Sequence, residues 1–313
     1  MPWPDRMARS AYLGGILWAL LAGGAAVGFL PLDLIPVLFL LAPLVVIPLG
    51  LRLLAQEGVE NGCLRLAALL QPPAALLASA SFFIPVGPWA AAVAAPWAGV
   101  TAFLALAGLV HFLKKPRGDV VHYLAFAALL FVPVGGGFLV ASRAGMNPGG
   151  FTEPIVLLTA VHFHFTGFAA PLLVALAARA GPPTGLVTRG ATLLAAAGLV
   201  AGTPLLAVGF VFSPPLKLGA VILLVAALWA AAFLELRAIR TLGPLPARLL
   251  LALSAASLIG GMALAGVFEV GLWSRTVFLP IPQMAKTHGL LNGLGFAGAG
   301  LLAWTLGRAR SGK

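Results

Sequence analysis

Long apolar runs dominate this chain and leave it few ways to fold. Of its 313 residues, 61% are hydrophobic and only 9% are charged, and the mean hydropathy is +1.06. A soluble domain carries roughly 25% charged residues, whereas a helix that crosses a bilayer needs about 20 mostly apolar residues. The composition therefore predicts an integral membrane protein whose first partner is the lipid bilayer.

Breaks rich in proline, glycine or charge divide the chain into about ten apolar spans. The sequence therefore predicts an all-α fold, a polytopic transmembrane helix bundle that forms a single integral membrane domain over residues 1–313. The predicted spans are 11–30, 35–54, 64–83, 89–112, 120–142, 153–178, 187–212, 217–236, 248–273 and 283–306.

The net charge of +11 has a topological explanation. Lys and Arg gather at alternate ends of the predicted spans, and such residues accumulate in the cytoplasmic loops of membrane proteins. This pattern predicts that both termini are cytoplasmic and that no nucleic acid is a partner. Residues 1–142 and 153–313 each hold five predicted spans, so the count allows five-span halves in inverted orientation, as in many transporters. No matching residues relate the two halves.

Two histidines at mid-depth mark the sixth predicted span. Ionisable groups inside a bilayer are expensive and are functional candidates by default. His162 and His164 lie two residues apart, so their side chains point to nearly opposite faces of a helix. One ring is expected in a central cavity and the other against an adjacent helix. His162 is the expected cavity residue because it shares a face with Thr159 and Thr166.

Further polar residues occur in the outer half of the ninth and tenth predicted spans. His288 and Asn292 lie four residues apart and share a helix face. Their depth predicts that they meet the histidines of the sixth span, and hydrogen bonds that only fix helix packing are the alternative explanation. Glu269 extends a stripe of small or polar residues made of Ser254, Ser257, Gly261 and Ala265.

The candidate site residues divide by their chemistry. The acid–base candidates are His162, His164, His288 and Glu269. The candidates for substrate binding are Asn292, Thr159, Thr166, Thr287 and Glu153. No nucleotide-binding motif is present, so no soluble cofactor is implied. Imidazole suits Zn, Cu and Fe, which leaves open a metal bound by His162, His164 and His288.

Two segments resemble the signatures of a known family. One is the run HFHFTGF, which begins at His162, and the other is the run THGLLNGLGF, which begins at Thr287. Together they resemble the YndJ-like family of bacterial multi-pass membrane proteins, mainly in the second half of the chain. The resemblance implies a place in the bacterial inner membrane and supports the site residues rather than an activity.

Three functions remain open at this level. The favoured hypothesis is an intramembrane enzyme that acts on an isoprenoid-like or other lipophilic substrate by His/Glu acid–base chemistry, as an isomerase, cyclase or lyase. A histidine near its ordinary pKa beside a buried carboxyl suits such proton transfer. The first alternative is a proton-coupled transporter that uses the same cluster. It is weakened because no polar site is recognised in the inner half of the membrane. The second alternative is a histidine-ligated metal or haem protein.

Overall fold

A computed structural model describes residues 2–114, 118–181 and 185–308, and these residues form helices and connections without any β-strand. The predicted all-α fold is therefore confirmed. The long helices are α1 (Trp3–Ala26), α2 (Leu34–Gln56), α3 (Gly62–Ser81), α4 (Pro88–Lys114), α5 (Val120–Ala144), α6 (Ile155–Ala180), α7 (Leu186–Phe212), α8 (Pro214–Thr241), α9 (Leu245–Trp273) and α10 (Ile281–Gly307).

Within the described residues, nine helices, α2 to α10, are long and apolar enough to cross a membrane. The chain is thus a multi-pass membrane protein, as predicted, although the count is nine where about ten spans were expected. The difference lies in the first predicted span, 11–30. Its helix begins earlier, at Trp3, and takes in Asp5, Arg6 and Arg9, so α1 is not among the nine. The cytoplasmic location of both termini stays a prediction.

The chain divides into two compact units. The first unit comprises Met1–Gly118 and Ala125–Ala169, and the second comprises Asp119–Leu124 and Ala170–Lys313. The division falls inside α6, next to the histidine-bearing segment. It differs from the five-span halves considered from the sequence, which separate in the connection before α6.

In the first unit, α2 is the most buried span, and it packs against α1, α3 and the first half of α6. In the second unit, α9 lies between α8 and α10, while α7 and α8 form an antiparallel pair. The hairpin between α7 and α8 turns at Ser213, whose hydroxyl accepts a hydrogen bond from the backbone N–H of Leu216 at 3.3 Å. Such a serine cap satisfies a donor that the first turn of a helix leaves unpaired.

Three spans widen locally into π-helical turns, at Ala42–Val46 in α2, at Phe165–Ala169 in α6, and in two adjoining stretches of α10. Proline explains the first two. Pro48 and Pro171 lack an N–H and cannot donate to the carbonyl four residues earlier, so the regular ladder breaks there. Short π-helical turns inside α-helices often occur at functional sites. Here they lie directly after His164 and around His288.

Small residues bring α7 and α8 into close contact. A side chain at Gly198 would collide with the β-carbon of Ala227, and one at Gly202 would lie 2.9 Å from the side chain of Leu224. Small residues let neighbouring transmembrane helices approach closely. The pairing of α7 with α8 thus depends on the absence of side chains at these two glycines.

We expect Gly198→Ala to destabilise the protein by about 1–3 kcal/mol, because the added methyl group overpacks the contact with Ala227. Gly190→Ala is the matched control on the same helix, since no atom lies within 4 Å of its added methyl group. The control should be neutral or slightly stabilising. Thermal unfolding in detergent measures both, and equal unfolding temperatures for the two variants would contradict the packing argument.

Candidate functional site

His164 is fully buried in the first unit, and both of its ring nitrogens are hydrogen bonded. Its Nδ1–H donates to the backbone carbonyl of Ala160 at 2.7 Å, and its Nε2 accepts a hydrogen bond from the indole Nε1–H of Trp97 at 3.0 Å. A carbonyl oxygen can only accept, so these two contacts fix the neutral tautomer that carries its proton on Nδ1. Phe39 meets the ring edge-on at 5.3 Å between centroids.

These contacts make His164 the point where four helices meet. Trp97 lies on α4, Phe39 on α2, and His164 itself on α6. From α5, Gly135 approaches so closely that a β-carbon there would lie 2.5 Å from the Nδ1 atom of His164. A histidine that contacts an adjacent helix was expected, and the structure places His164 in that position. With both nitrogens occupied, this ring holds the helices together and has no lone pair left to accept a proton.

The side chain of His162 is accessible to solvent in the first unit. Its Nδ1–H donates to the carbonyl of Leu158 at 2.7 Å on its own helix. The buried row of α6 is formed by Leu157, Val161, His164 and Phe168, and α6 packs through this face. The two histidines thus lie on different faces of α6, as expected. That His162 faces a cavity stays a prediction.

The polar residues near His162 interact mainly within α6. The hydroxyl of Thr159 donates to the carbonyl of Ile155 at 2.9 Å, and Thr166 is half-buried. Glu153 is exposed before the helix begins, and its carboxylate accepts a hydrogen bond from the N–H of Leu157 at 3.2 Å. Their roles in binding a substrate stay predictions.

Arg143, at the end of α5, is a buried cation. Its guanidinium donates to the carbonyl of Ile84 at 2.9 Å and lies 5.0 Å from the centre of the Phe82 ring. The uninterrupted apolar run that precedes it was the available signal of its burial. Together with Trp97, it shows that polar groups in this unit bond across helices.

In the second unit, Glu269 of α9 forms an ion pair with Lys217 of α8. The Lys217 Nζ atom lies 3.1 Å from the Glu269 carboxylate, and the two side chains are only 14% and 5% exposed. The ammonium also lies over the ring of Phe210, 5.2 Å from its centre. Charges inside a membrane are tolerated when they are paired. Lys217 is therefore the partner of Glu269, which the sequence did not identify.

His288 and Asn292 come together on α10 and contact α9. The Nδ1–H of His288 donates to the carbonyl of Gly261 at 2.8 Å, and the amide of Asn292 donates to the carbonyl of His288 at 2.9 Å. A side chain at Gly261 would lie 2.5 Å from that amide. The bond from Nδ1 leaves Nε2 as the basic nitrogen of the neutral ring. Thr287, beside it, donates its hydroxyl to the carbonyl of Gln283 at 2.8 Å.

Glu235 near the end of α8 is a buried acid that sequence reasoning missed. It is 1% exposed, and neither carboxyl oxygen has a hydrogen-bond partner in the described part of the chain. Ser254 of α9 lies close to it, but that hydroxyl donates to the carbonyl of Phe296 at 3.0 Å. The guanidinium of Arg237, two residues further along α8, donates to the hydroxyl of Thr188 at 2.6 Å.

The predicted residues thus form separate groups. His162 and His164 belong to the first unit, whereas His288, Asn292 and Glu269 belong to the second. Within the described residues, no group of three or more His, Cys, Asp or Glu side chains is arranged to hold a metal ion. The sequence left open a metal ion bound by His162, His164 and His288. These three histidines are divided between the two units, so neither unit holds all three ligands.

We expect Trp97→Phe to destabilise the protein by about 1–3 kcal/mol, because it leaves the Nε2 atom of His164 buried without a donor. Trp89→Phe on the same helix is the control, since the Trp89 side chain is 78% exposed. Thermal unfolding in detergent measures both variants. If Trp97→Phe unfolds at the same temperature as Trp89→Phe, the hydrogen bond to His164 does not support the fold.

Comparisons with known proteins agree with the motifs at His162 and Thr287. The family model described as YndJ-like protein matches residues 37–296. The chain is 27% identical over 257 residues to a Bacillus subtilis (strain 168) protein named "Uncharacterized membrane protein YndJ", and the match covers 82% of the chain and 44% of that relative. The chain thus spans less than half the length of this relative, and no solved structure matches it. The chain belongs to the YndJ-like family of membrane proteins.

Proposed function

We propose that the chain is a proton-coupled membrane transporter and that protons cross the bilayer through its second unit. The observation that carries this proposal is Glu235, a buried carboxyl in a membrane-spanning helix that has no cationic partner among the described residues. An isolated carboxylate is expensive in such surroundings, whereas the neutral acid is far less so. Glu235 is therefore suited to hold and release a proton rather than to carry a permanent charge.

A second acid, Glu269 of α9, lies beside the other end of α8. Lys217 of α8 binds Glu269, and the 18 residues from Lys217 to Glu235 correspond to about 27 Å along the helix axis. This length is close to the roughly 30 Å thickness of the hydrocarbon core. The two acids thus stand near opposite faces of the membrane, which supplies the inner-half polar site that the sequence lacked.

Polar groups occur along α9 between these two ends. From Glu269 toward Glu235 they are the carbonyl of Gly261 with His288, then the hydroxyls of Ser257 and Ser254. The steps from Gly261 to Ser257 and on to Ser254 are about 6 and 5 Å along the helix. The step from Glu269 to Gly261 is longer, about 12 Å, and water is expected to bridge it. Chains of acids and histidines of this kind serve as proton relays in pumps and transporters.

The Lys217–Glu269 ion pair can couple the protonation of Glu269 to a change in helix packing. A proton that reaches Glu269 neutralises the carboxylate and leaves the Lys217 ammonium without its anion. An unpaired charge in the membrane is costly, so the arrangement of α8 against α9 is expected to change with the protonation of Glu269. Such a coupling between proton binding and helix position is what a proton-driven transporter needs.

The enzyme hypothesis is less well supported by this geometry. Acid–base catalysis on an isoprenoid-like substrate needs an acid and a base beside one substrate. His164 uses both ring nitrogens within the fold, and His162 belongs to a different unit from His288 and Glu269. His288 and Glu269 are the acid–base candidates of the second unit. The transporter proposal uses both of them and also explains Glu235.

The test is proton uptake by liposomes that contain the purified protein and a pH-sensitive dye, driven by a potassium–valinomycin potential. We expect the wild-type protein to acidify the vesicles and Glu235→Gln to slow this by about tenfold or more, because the glutamine amide does not bind and release a proton near neutral pH. Glutamine is neutral and has the shape of the protonated acid, so the variant should unfold at the wild-type temperature. Asp33→Asn, at an exposed carboxyl before α2, is the control and should keep the wild-type rate.

Wild-type vesicles that take up no more protons than empty liposomes would contradict the transporter. The same vesicles distinguish the enzyme if they contain bacterial isoprenoid lipids. Conversion of such a lipid, lost in His162→Ala and His288→Ala but kept in Glu235→Gln, would favour the acid–base enzyme instead.

A further inference from the structure

A cavity of about 640 Å³ lies among α1, α2 and α3 of the first unit, away from every residue discussed above. Its walls are apolar, and they include Leu13 and Leu17 of α1, Leu44 of α2 and Leu76 of α3. Leu13 and Leu76 are 64% and 54% exposed, so the cavity opens to the surface of the spans as a groove. In a membrane protein, this surface faces lipid.

Two arginines stand at one end of the groove. Arg6 and Arg9 of α1 line it and are exposed. Neither forms an ion pair within the described residues, and Asp5, which is their neighbour on the helix, pairs with neither. The groove thus combines an apolar body with two uncompensated positive charges at its end.

The polar end of the groove lies level with the end of a membrane span. The indole of Trp3 donates to the carboxylate of Glu60 at 3.0 Å, which places the start of α1 beside the start of α3. Glu60 also binds Arg65 at 3.3 Å. The hydrogen bond from Trp3 and the interaction with Arg65 hold the pKa of the Glu60 carboxyl below its ordinary value. This carboxylate is therefore engaged and does not neutralise Arg6 or Arg9.

The floor of the groove is fixed by polar contacts that need no ligand. The hydroxyl of Ser10 donates to the buried side chain of Gln71 at 3.0 Å, and the Gln71 amide donates to the carbonyl of Pro43 at 2.6 Å. At Gly14, α1 approaches the carbonyl of Leu44 so closely that a side chain would collide with it. The three helices therefore hold the groove open without support from a bound molecule.

We propose that this groove binds an anionic phospholipid of the surrounding bilayer, with its phosphate on Arg6 and Arg9 and one acyl chain along Leu13 and Leu17. Guanidinium groups bind phosphate through paired, charge-assisted hydrogen bonds. The 11 residues from Arg6 to Leu17 correspond to about 16 Å, which is close to the roughly 15 Å depth of one leaflet of the hydrocarbon core. The site thus matches an amphiphile in both charge and length.

Lipid binding by the purified full chain in detergent tests this proposal, with phosphatidylglycerol and phosphatidylcholine titrated separately and followed by native mass spectrometry. We expect tighter binding of phosphatidylglycerol, and a loss of about tenfold or more in its affinity in the double variant Arg6→Gln/Arg9→Gln. The matched control is Arg189→Gln/Arg240→Gln, which removes two exposed charges in the second unit and should keep wild-type affinity. Leu17→Trp fills the groove without changing its charge and should also weaken binding.

Three results would overturn the proposal. Phosphatidylcholine that binds as tightly as phosphatidylglycerol would show that Arg6 and Arg9 recognise no anion. An equal loss in the Arg189→Gln/Arg240→Gln variant would show an effect of net charge alone. Displacement of the lipid by excess glycerol phosphate, together with wild-type affinity in Leu17→Trp, would assign the arginines to a soluble phosphate compound. Proton uptake does not enter this experiment, so its outcome is independent of the transporter proposal.

Discussion

A polar group inside a membrane-spanning helix must find its partner within the protein, and this constraint organises both units. Lipid offers no hydrogen bonds, so an unpaired donor or acceptor is costly. His164 hydrogen bonds with Trp97 and with a backbone carbonyl. Arg143 donates to the carbonyl of Ile84 and lies over the Phe82 ring. Glu235 departs further from this constraint, because neither oxygen of its buried carboxyl has a hydrogen-bond partner among the described residues. This departure from the rule distinguishes a functional candidate from a residue that holds helices together.

The spans were predictable because hydropathy alone specifies them. The predicted span 120–142 corresponds to Val120–Ala144, and 187–212 corresponds to Leu186–Phe212. The environment of a side chain was harder to predict. Helical geometry separates His162 from His164, but it does not decide which face packs. That choice depends on residues distant in sequence, because the Trp97 indole and the bare backbone at Gly135 make room for only one ring.

The second unit shows the same limit for charged residues. Arg237 of α8 binds the hydroxyl of Thr188 on α7. Only the packing of α7 against α8 makes that hydroxyl available. Likewise, nothing in the sequence pairs Lys217 with Glu269, although the two form an ion pair. Which side chains pair between spans depends on how the helices pack, and a single sequence does not reveal that packing.

The residues of the two proposals also differ in their position relative to the family match. The YndJ-like model covers residues 37–296, which include Glu235, Glu269 and His288. Arg6 and Arg9 precede that range, although the groove walls on α2 and α3 lie within it. The proposed proton path therefore lies entirely within the matched part of the chain, whereas the proposed phosphate-binding residues of the groove precede it. If both proposals hold, relatives should share the proton relay more widely than the lipid site, because only the relay lies wholly within the matched spans.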